Sequence, residues 1–181
     1  MKLLIIDTET DSPKANLARI MEVAVGSVDL ETGSTELLLD SLVRPDGLDT
    51  WRSCWFMENS GIACEAIEAA PPFAQIKGYV EELLKTGPAT AYNLPYDLQV
   101  LYRHGLRVPQ TWPCLMHTCT PICRLPGRYG DYKYPKFSEA YAHFFPGETF
   151  QEKHRAGYDV LHEAKLAYAL YKGGYLRMKF I

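Results

Sequence analysis

The run Leu3-Leu4-Ile5-Ile6, followed by Asp7-Thr8-Glu9-Thr10, constrains this chain more than any other stretch. Consecutive Leu and Ile residues with no polar alternation predict a strand covered on both faces, at the centre of a sheet. That strand ends in acid. Residues two apart in an extended chain project from the same face, so Asp7 and Glu9 are expected side by side at the end of a core strand. Two carboxylates held that close repel each other unless a cation shares them. Hard divalent ions such as Mg²⁺ take oxygen ligands of this kind. An ordinary strand exit through polar turn formers would read the same over these few residues, so the rest of the chain has to separate the two readings.

A length of 181 residues fits one domain, 1–181, with a full hydrophobic core. The composition is 47% hydrophobic and 23% charged, which is globular. No apolar run approaches the ~20 residues needed to span a bilayer, and the N-terminus lacks the pattern of a signal peptide. A cytoplasmic protein without membrane contact is expected. The five cysteines, an odd number, fit free thiols in a reducing compartment. Cys114, His117, Cys119 and Cys123 do not form two Cys-x-x-Cys pairs. Their neighbours Leu115, Met116 and Ile122 point to a packed segment rather than a zinc site. The net charge of -3 does not mark a general nucleic-acid binder. An enzyme acting on one strand end needs only a local basic groove, and bound metal ions add positive charge of their own.

Further along, Ile20 to Asp29 reads as a second strand. Asp29-Leu30-Glu31-Thr32-Gly33 is a hairpin turn, and Leu37 to Val43 returns as a third strand before Arg44-Pro45-Asp46-Gly47. Residues 48 to 70 hold Trp51, Trp55, Phe56 and Met57 with no clear period. Phe73, Ile76, Val80, Leu83 and Leu84 recur at helical spacing. Ala89 to Tyr92 predicts a short strand, Pro95 opens a helix that Gly105 ends, and Leu115 to Thr118 is expected as a last strand. Helices follow over Ser138 to Phe145 and Tyr158 to Tyr171, the second with Val160, Ala164, Ala167 and Tyr171 along one stripe. The loop from Arg124 to Lys136 interleaves Arg124, Arg128, Lys133 and Lys136 with Tyr129, Tyr132 and Tyr134. This mixture suits a single strand, with charges on phosphates and rings under bases, or a solvated tyrosine-rich loop. A meander followed by alternating helices and short strands predicts an α/β fold with a mixed sheet.

Other acids stand at matching places. Asp97 sits just inside the helix after the Ala89–Tyr92 strand, and Asp159 near the start of the last long helix. The helix dipole alone would favour acid there. Five residues before Asp159, in the polar segment Glu152-Lys153-His154-Arg155, lies His154, with Gly157 as a candidate hinge. A histidine beside a metal carboxylate can act as a general base near neutral pH.

The ordered set of Asp7-x-Glu9, Asn93-x₃-Asp97 and His154-x₄-Asp159 resembles the DnaQ-type, or DEDDh, family of 3′→5′ exonucleases, which includes exonuclease X and the proofreading subunit of bacterial DNA polymerase III. The resemblance runs from Lys2 to about Tyr171. It is supported by Leu42-Val43-Arg44-Pro45-Asp46 and by Gly61-Ile62 followed by Pro72-Phe73. It implies a ribonuclease-H-like fold with a central mixed five-stranded sheet flanked by helices. It also implies that Asp7, Glu9, Asp97 and Asp159 bind two Mg²⁺ or Mn²⁺ ions, with Asp7 between them and His154 as base. Two such ions lower the pKa of a bound water and stabilise the leaving 3′ oxygen, and the product is a nucleoside 5′-monophosphate. Thr8, Thr10 and Asn93 beside these ligands, and Tyr129, Tyr132 and Lys133 in the loop, are expected to touch substrate.

The chain departs from the family in two places. Asp11-Ser12-Pro13 stands where many members have Thr-Gly-Leu after the first motif, with Leu17 a weak substitute, and Ser60-Gly61-Ile62 stands where many have His-Gly-Ile. The expected substrate is the 3′ end of single-stranded DNA. The alternatives are an exoribonuclease, which only contacts to the 2′-OH would distinguish, and a nuclease-like module that binds without cleaving. A homodimer, or a polymerase or repair partner, is compatible with the sequence. The alternating C-terminal Tyr175–Ile181 suits packing over an edge or docking a partner.

Overall fold

The sheet is built around the strand that opens the chain. In a computed structural model that describes residues 1–151 and 153–177, β1 (Lys2–Thr10) pairs antiparallel with β2 (Ile20–Asp29) and parallel with β4 (Ala89–Thr90). β3 (Thr35–Leu42) pairs antiparallel with β2, giving the order β3-β2-β1-β4. Alternation along β1 divides the core. Leu3 and Ile5 face one hydrophobic layer with Val160, Ala164 and Leu170, while Leu4 and Ile6 face another with Val80, Val100 and Leu101. These four residues are at most 1% exposed, as a strand buried on both faces requires. The same alternation turns Asp7 and Glu9 toward the first layer and Thr8 toward the second.

The first layer belongs to α7 (Ala156–Lys172), which crosses β1, β2 and β3. The helix approaches closely enough that a side chain at Gly26 of β2 would crowd Val160. Gly157 serves the same purpose at the first turn of α7, where a Cβ would collide with the Asp40 carboxylate of β3. This candidate hinge lies inside the helix and not in the loop before it. On the opposite face lie α3 (Phe73–Leu84) and α4 (Leu94–Arg103), the latter with Pro95 in its first turn, where a missing N–H costs nothing. The aperiodic stretch folds as a 3₁₀ turn (Asp49–Ser53), α1 (Trp55–Asn59) and α2 (Cys64–Ala69). It buries Trp51, Phe56 and Ile67 against Met21 as a separate small cluster.

The described sheet has four strands, not five. The segment expected as the last strand, Leu115–Thr118, is the start of α5 (Leu115–Cys123). What remains of a fifth strand is a single bridge between Ala89 and Thr111, with the N–H of Ala89 donating to Gln110 and that of Trp112 donating to Ala89. Pro109 and Pro113 flank this bridge and cannot donate, so the edge pairing stops there. The helix then begins because Leu115 and Met116 donate their N–H groups to the carbonyls of Ala91 and Tyr92, supplying acceptors that a helix N-terminus otherwise lacks. After α6 (Phe137–Phe144) the chain reaches α7. Leu176 beyond it is buried, and the final Met178–Ile181 of the alternating C-terminal segment lies outside the described residues. No described helix is long and apolar enough to cross a membrane.

Candidate active site

Where β1 runs out of apolar residues, a cleft of about 180 Å³ opens between β1, the start of α4 and the start of α7. Asp7, Glu9, Asp97, His154 and Asp159 all line it, and the sequence separates them by up to most of the chain. Asp7, Glu9 and Asp159 bring a carboxylate oxygen each within 4.8 Å of one another. Asp97 arrives from the other face of β1. Thr8, which points that way, donates to its Oδ1 from both the backbone N–H, at 3.1 Å, and the hydroxyl, at 2.7 Å. The Thr8 hydroxyl is therefore engaged in bracing Asp97.

The electrostatics follow from this crowding. Burial holds Asp7 well above the ordinary carboxylate range, and the charges of Glu163, Glu9, Asp97 and Asp159 push it further. Burial also lifts Asp97 to about 7, against the two Thr8 hydrogen bonds, which favour its charged form. A set of hard carboxylate oxygens with raised proton affinity is what a divalent cation would relieve. The residues present fit such an ion.

His154 stands at the rim with a left-handed backbone, φ 51°, its ring edge-on to Trp55 with centroids 4.5 Å apart. The residue after it is anchored. The Arg155 guanidinium grips the fully buried Glu22 of β2, with Nε and Nη2 2.9–3.2 Å from its oxygens. The N–H of Ala156 donates to the same carboxylate, and the N–H of Arg155 donates to Asp159 Oδ2 at 3.2 Å. The loop carrying the histidine is thus fixed at its junction with α7.

The family model described as RNase_T, exonuclease, matches residues 4–167. The chain belongs to this exonuclease family. No curated protein matches it. Solved structures show the same fold at low identity. The cell-death related nuclease 4 (CRN-4) superposes with a TM-score of 0.69 at 16% identity over 97% of this chain and 65% of its own. Exonuclease I of E. coli, in complex with a dA16 oligonucleotide, gives 0.68 at 18% over 94% and 41%. The nuclease domain of 3′hExo, a DEDDh family member bound to rAMP, gives 0.60 at 17% over 99% and 97%. The chain therefore spans somewhat under two thirds of CRN-4 and under half of Exonuclease I.

The cleft holds a further acid that the sequence pattern did not single out. Glu163 lies one helical turn beyond Asp159, is 4% exposed, and accepts the Tyr92 N–H at 3.0 Å. Of the charges acting on Asp7 its effect is the largest. The available signal was an acid at i+4 from a candidate ligand, on the same helical face. Of the residues expected to touch substrate, Thr8 and Asn93 line the cleft, and Thr10 bonds Tyr96 and the Ser12 carbonyl beside it. Tyr129, Tyr132 and Lys133 are not among its lining residues. Both tyrosines are exposed, and Lys133 pairs with Glu139 at 2.6 Å. Leu17 is exposed and lines neither this cleft nor the hollow beside it. Among the described residues, Cys114, His117, Cys119 and Cys123 do not converge. The Cys114 thiol donates to the Tyr92 carbonyl, Cys119 is fully buried, and the His117 ring stacks on Tyr134.

Proposed function

We propose that the chain is a metal-dependent 3′→5′ exonuclease that hydrolyses single-stranded DNA from its 3′ end and releases nucleoside 5′-monophosphates. The observation that carries this reading is the convergence of Asp7, Glu9 and Asp159, with Asp97 and His154, in one cleft. Asp7, Glu9, Asp97 and Asp159 would hold two Mg²⁺ or Mn²⁺ ions. Bound there, the ions supply a water of lowered pKa and stabilise charge on the leaving 3′ oxygen. The protein's own residues do the rest. His154 accepts the proton of the attacking water as the P–O3′ bond breaks. Thr8 fixes one Asp97 oxygen, and Glu163, through Tyr92, ties α7 to the segment that leads into α4. Arg155, seated on Glu22, keeps the base and Asp159 on one rigid turn.

The experiment uses 5′-labelled single-stranded DNA and RNA of matched sequence with Mg²⁺, with Mn²⁺ and with EDTA, for the native protein and Asp7→Ala. A metal-dependent ladder that shortens from the 3′ end, absent in the variant, is expected, with DNA cut faster. Faster cleavage of RNA would transfer the substrate assignment to RNA ends. Full activity in folded Asp7→Ala would falsify the site.

A further inference from the structure

We propose that Glu163 is a positioning residue of the metal centre, outside its set of ligands, whose charge tightens the hold of Asp7, Glu9, Asp97 and Asp159 on divalent ions. This rests on the exonuclease reading above and adds a residue that none of the three motifs contains. Glu163 also has a structural task, and that task needs no charge. Its Oε2 accepts the Tyr92 N–H at 3.0 Å. Tyr92 is held elsewhere by neutral groups. Its carbonyl accepts the Met116 N–H at 2.9 Å and the Cys114 thiol at 3.1 Å, and its hydroxyl donates to the Pro135 carbonyl at 2.8 Å. An amide oxygen at position 163 would meet the Tyr92 N–H equally well and would be less unfavourable to bury.

The place is a poor one for a carboxylate in the metal-free protein. The dipole of α7 favours acid in the first helical turn, where Asp159 stands, and fades beyond it, before Glu163 is reached. Five acids line the cleft, and among the described residues no lysine or arginine lines it with them. Of the acids that act on Asp7, Glu163 acts most strongly. A buried acid in such company points to a cation that arrives from outside, and hard divalent ions supply the largest local positive charge available to oxygen ligands. Glu163 does not stand among the acids that converge. The oxygens within 4.8 Å of one another belong to Asp7, Glu9 and Asp159, while one Glu163 oxygen is engaged by Tyr92. It therefore acts from beside the ligands, as the groups around a metal's own ligands commonly do. Two effects of opposite sign follow. Its charge destabilises the empty site and strengthens the filled one.

The test compares native protein, Glu163→Gln and Glu163→Ala at pH 8. Glutamine keeps an acceptor for the Tyr92 N–H and removes the charge, whereas alanine removes both. In EDTA, Glu163→Gln is expected to raise the Tm by about 2–5 °C, and Glu163→Ala to melt below Glu163→Gln. Mn²⁺ binding to each protein, followed by calorimetry without substrate, is expected to weaken about tenfold to a hundredfold in Glu163→Gln. The Mn²⁺ concentration that half-saturates cleavage of a labelled oligonucleotide should rise in parallel. A purely structural role would not make the empty protein more stable and its ions weaker at once. Native Mn²⁺ affinity in Glu163→Gln would reduce Glu163 to a backbone acceptor and overturn the proposal. A Glu163→Gln protein that melts below the native one in EDTA would also overturn it, because the charge would then not strain the empty site. Either result, with metal-dependent cleavage by the native protein, leaves the nuclease reading intact. A native protein that binds no Mn²⁺ and shortens neither DNA nor RNA would bring down that reading and this proposal with it.

Discussion

The floor and the rim of the cleft are built on opposite terms. On the floor, Asp97, Asp159 and Glu163 are each less than 8% exposed, and each is held by a donor from another segment or turn: Thr8, the Arg155 N–H and the Tyr92 N–H. At the rim Trp55 is 55% exposed, and the loop tyrosines Tyr129, Tyr132 and Tyr134, which do not line the cleft, are 48–85% exposed. Like charges must be fixed against their own repulsion, so they sit on a core strand and on helices packed against it. The exposed rings sit on short or irregular segments outside that frame. His154 belongs to both regions, with its ring against an exposed tryptophan and its next residue clamped to a buried glutamate.

His154→Ala is the largest expected break in this arrangement among the rim positions. Loss of a positioned general base lowers kcat by about 10²–10⁴. KM should change little, because the acids and the aromatic surfaces remain. Steady-state rates on a labelled oligonucleotide measure both. An unchanged kcat would move the proton acceptor elsewhere and leave His154 as part of the rim alone.

The floor can be tested without turnover. Asp97 is raised to about 7 and Asp7 lies well above the carboxylate range, while an unfolded aspartate titrates at about 3.9. The folded, metal-free protein thus holds protons that the unfolded chain releases. The stability they contribute is present at low pH and is lost as pH rises through the folded values. In EDTA the Tm is therefore expected to fall between pH 5.5 and pH 8, on the order of 5 °C. Mg²⁺ favours the ionised carboxylates, so its stabilisation should be greater at pH 8 than at pH 5.5. A Tm independent of pH in EDTA, and indifferent to Mg²⁺ at both pH values, would mean that the floor is not strained by its own charge.

How much of this was legible in the sequence follows the same division. The floor was readable where local pattern and position coincide. The apolar run set β1, the two-residue spacing set Asp7 beside Glu9, and acids in the first turns of α4 and α7 carried Asp97 and Asp159. Glu163 escaped because, two turns into an amphipathic helix, it resembles any solvated acid. Only the depth at which α7 packs on the sheet shows otherwise. Trp55 escaped for the reverse reason. Its neighbours Trp51 and Phe56 are buried, and no period in that stretch separates the exposed ring from the covered ones. The fifth strand was over-read because Leu115–Thr118 is a short apolar run, equally compatible with strand or helix. The acceptors that decide for helix, on Ala91 and Tyr92, are more than twenty positions away in sequence and become neighbours only in the fold.

The tyrosine loop sets the smallest expected effects and sharpens the contrast between buried acids and exposed rings. Tyr129 is 85% exposed with Arg128 over its ring, whereas the Lys133 charge is already met by Glu139. If the loop tracks the strand behind the terminal nucleotide, Tyr129→Ala should raise KM about threefold to tenfold on an oligonucleotide long enough to reach it, and leave a dinucleotide unaffected. Lys133→Ala should change KM less than about twofold and leave the salt dependence of KM nearly unaltered, because a neutralised lysine displaces few counterions from the phosphates. A Lys133 effect exceeding that of Tyr129 would show that the ion pair opens when the strand binds. Equal KM changes on the dinucleotide and the long strand would show that the loop acts on the cleft and not on the strand leading into it.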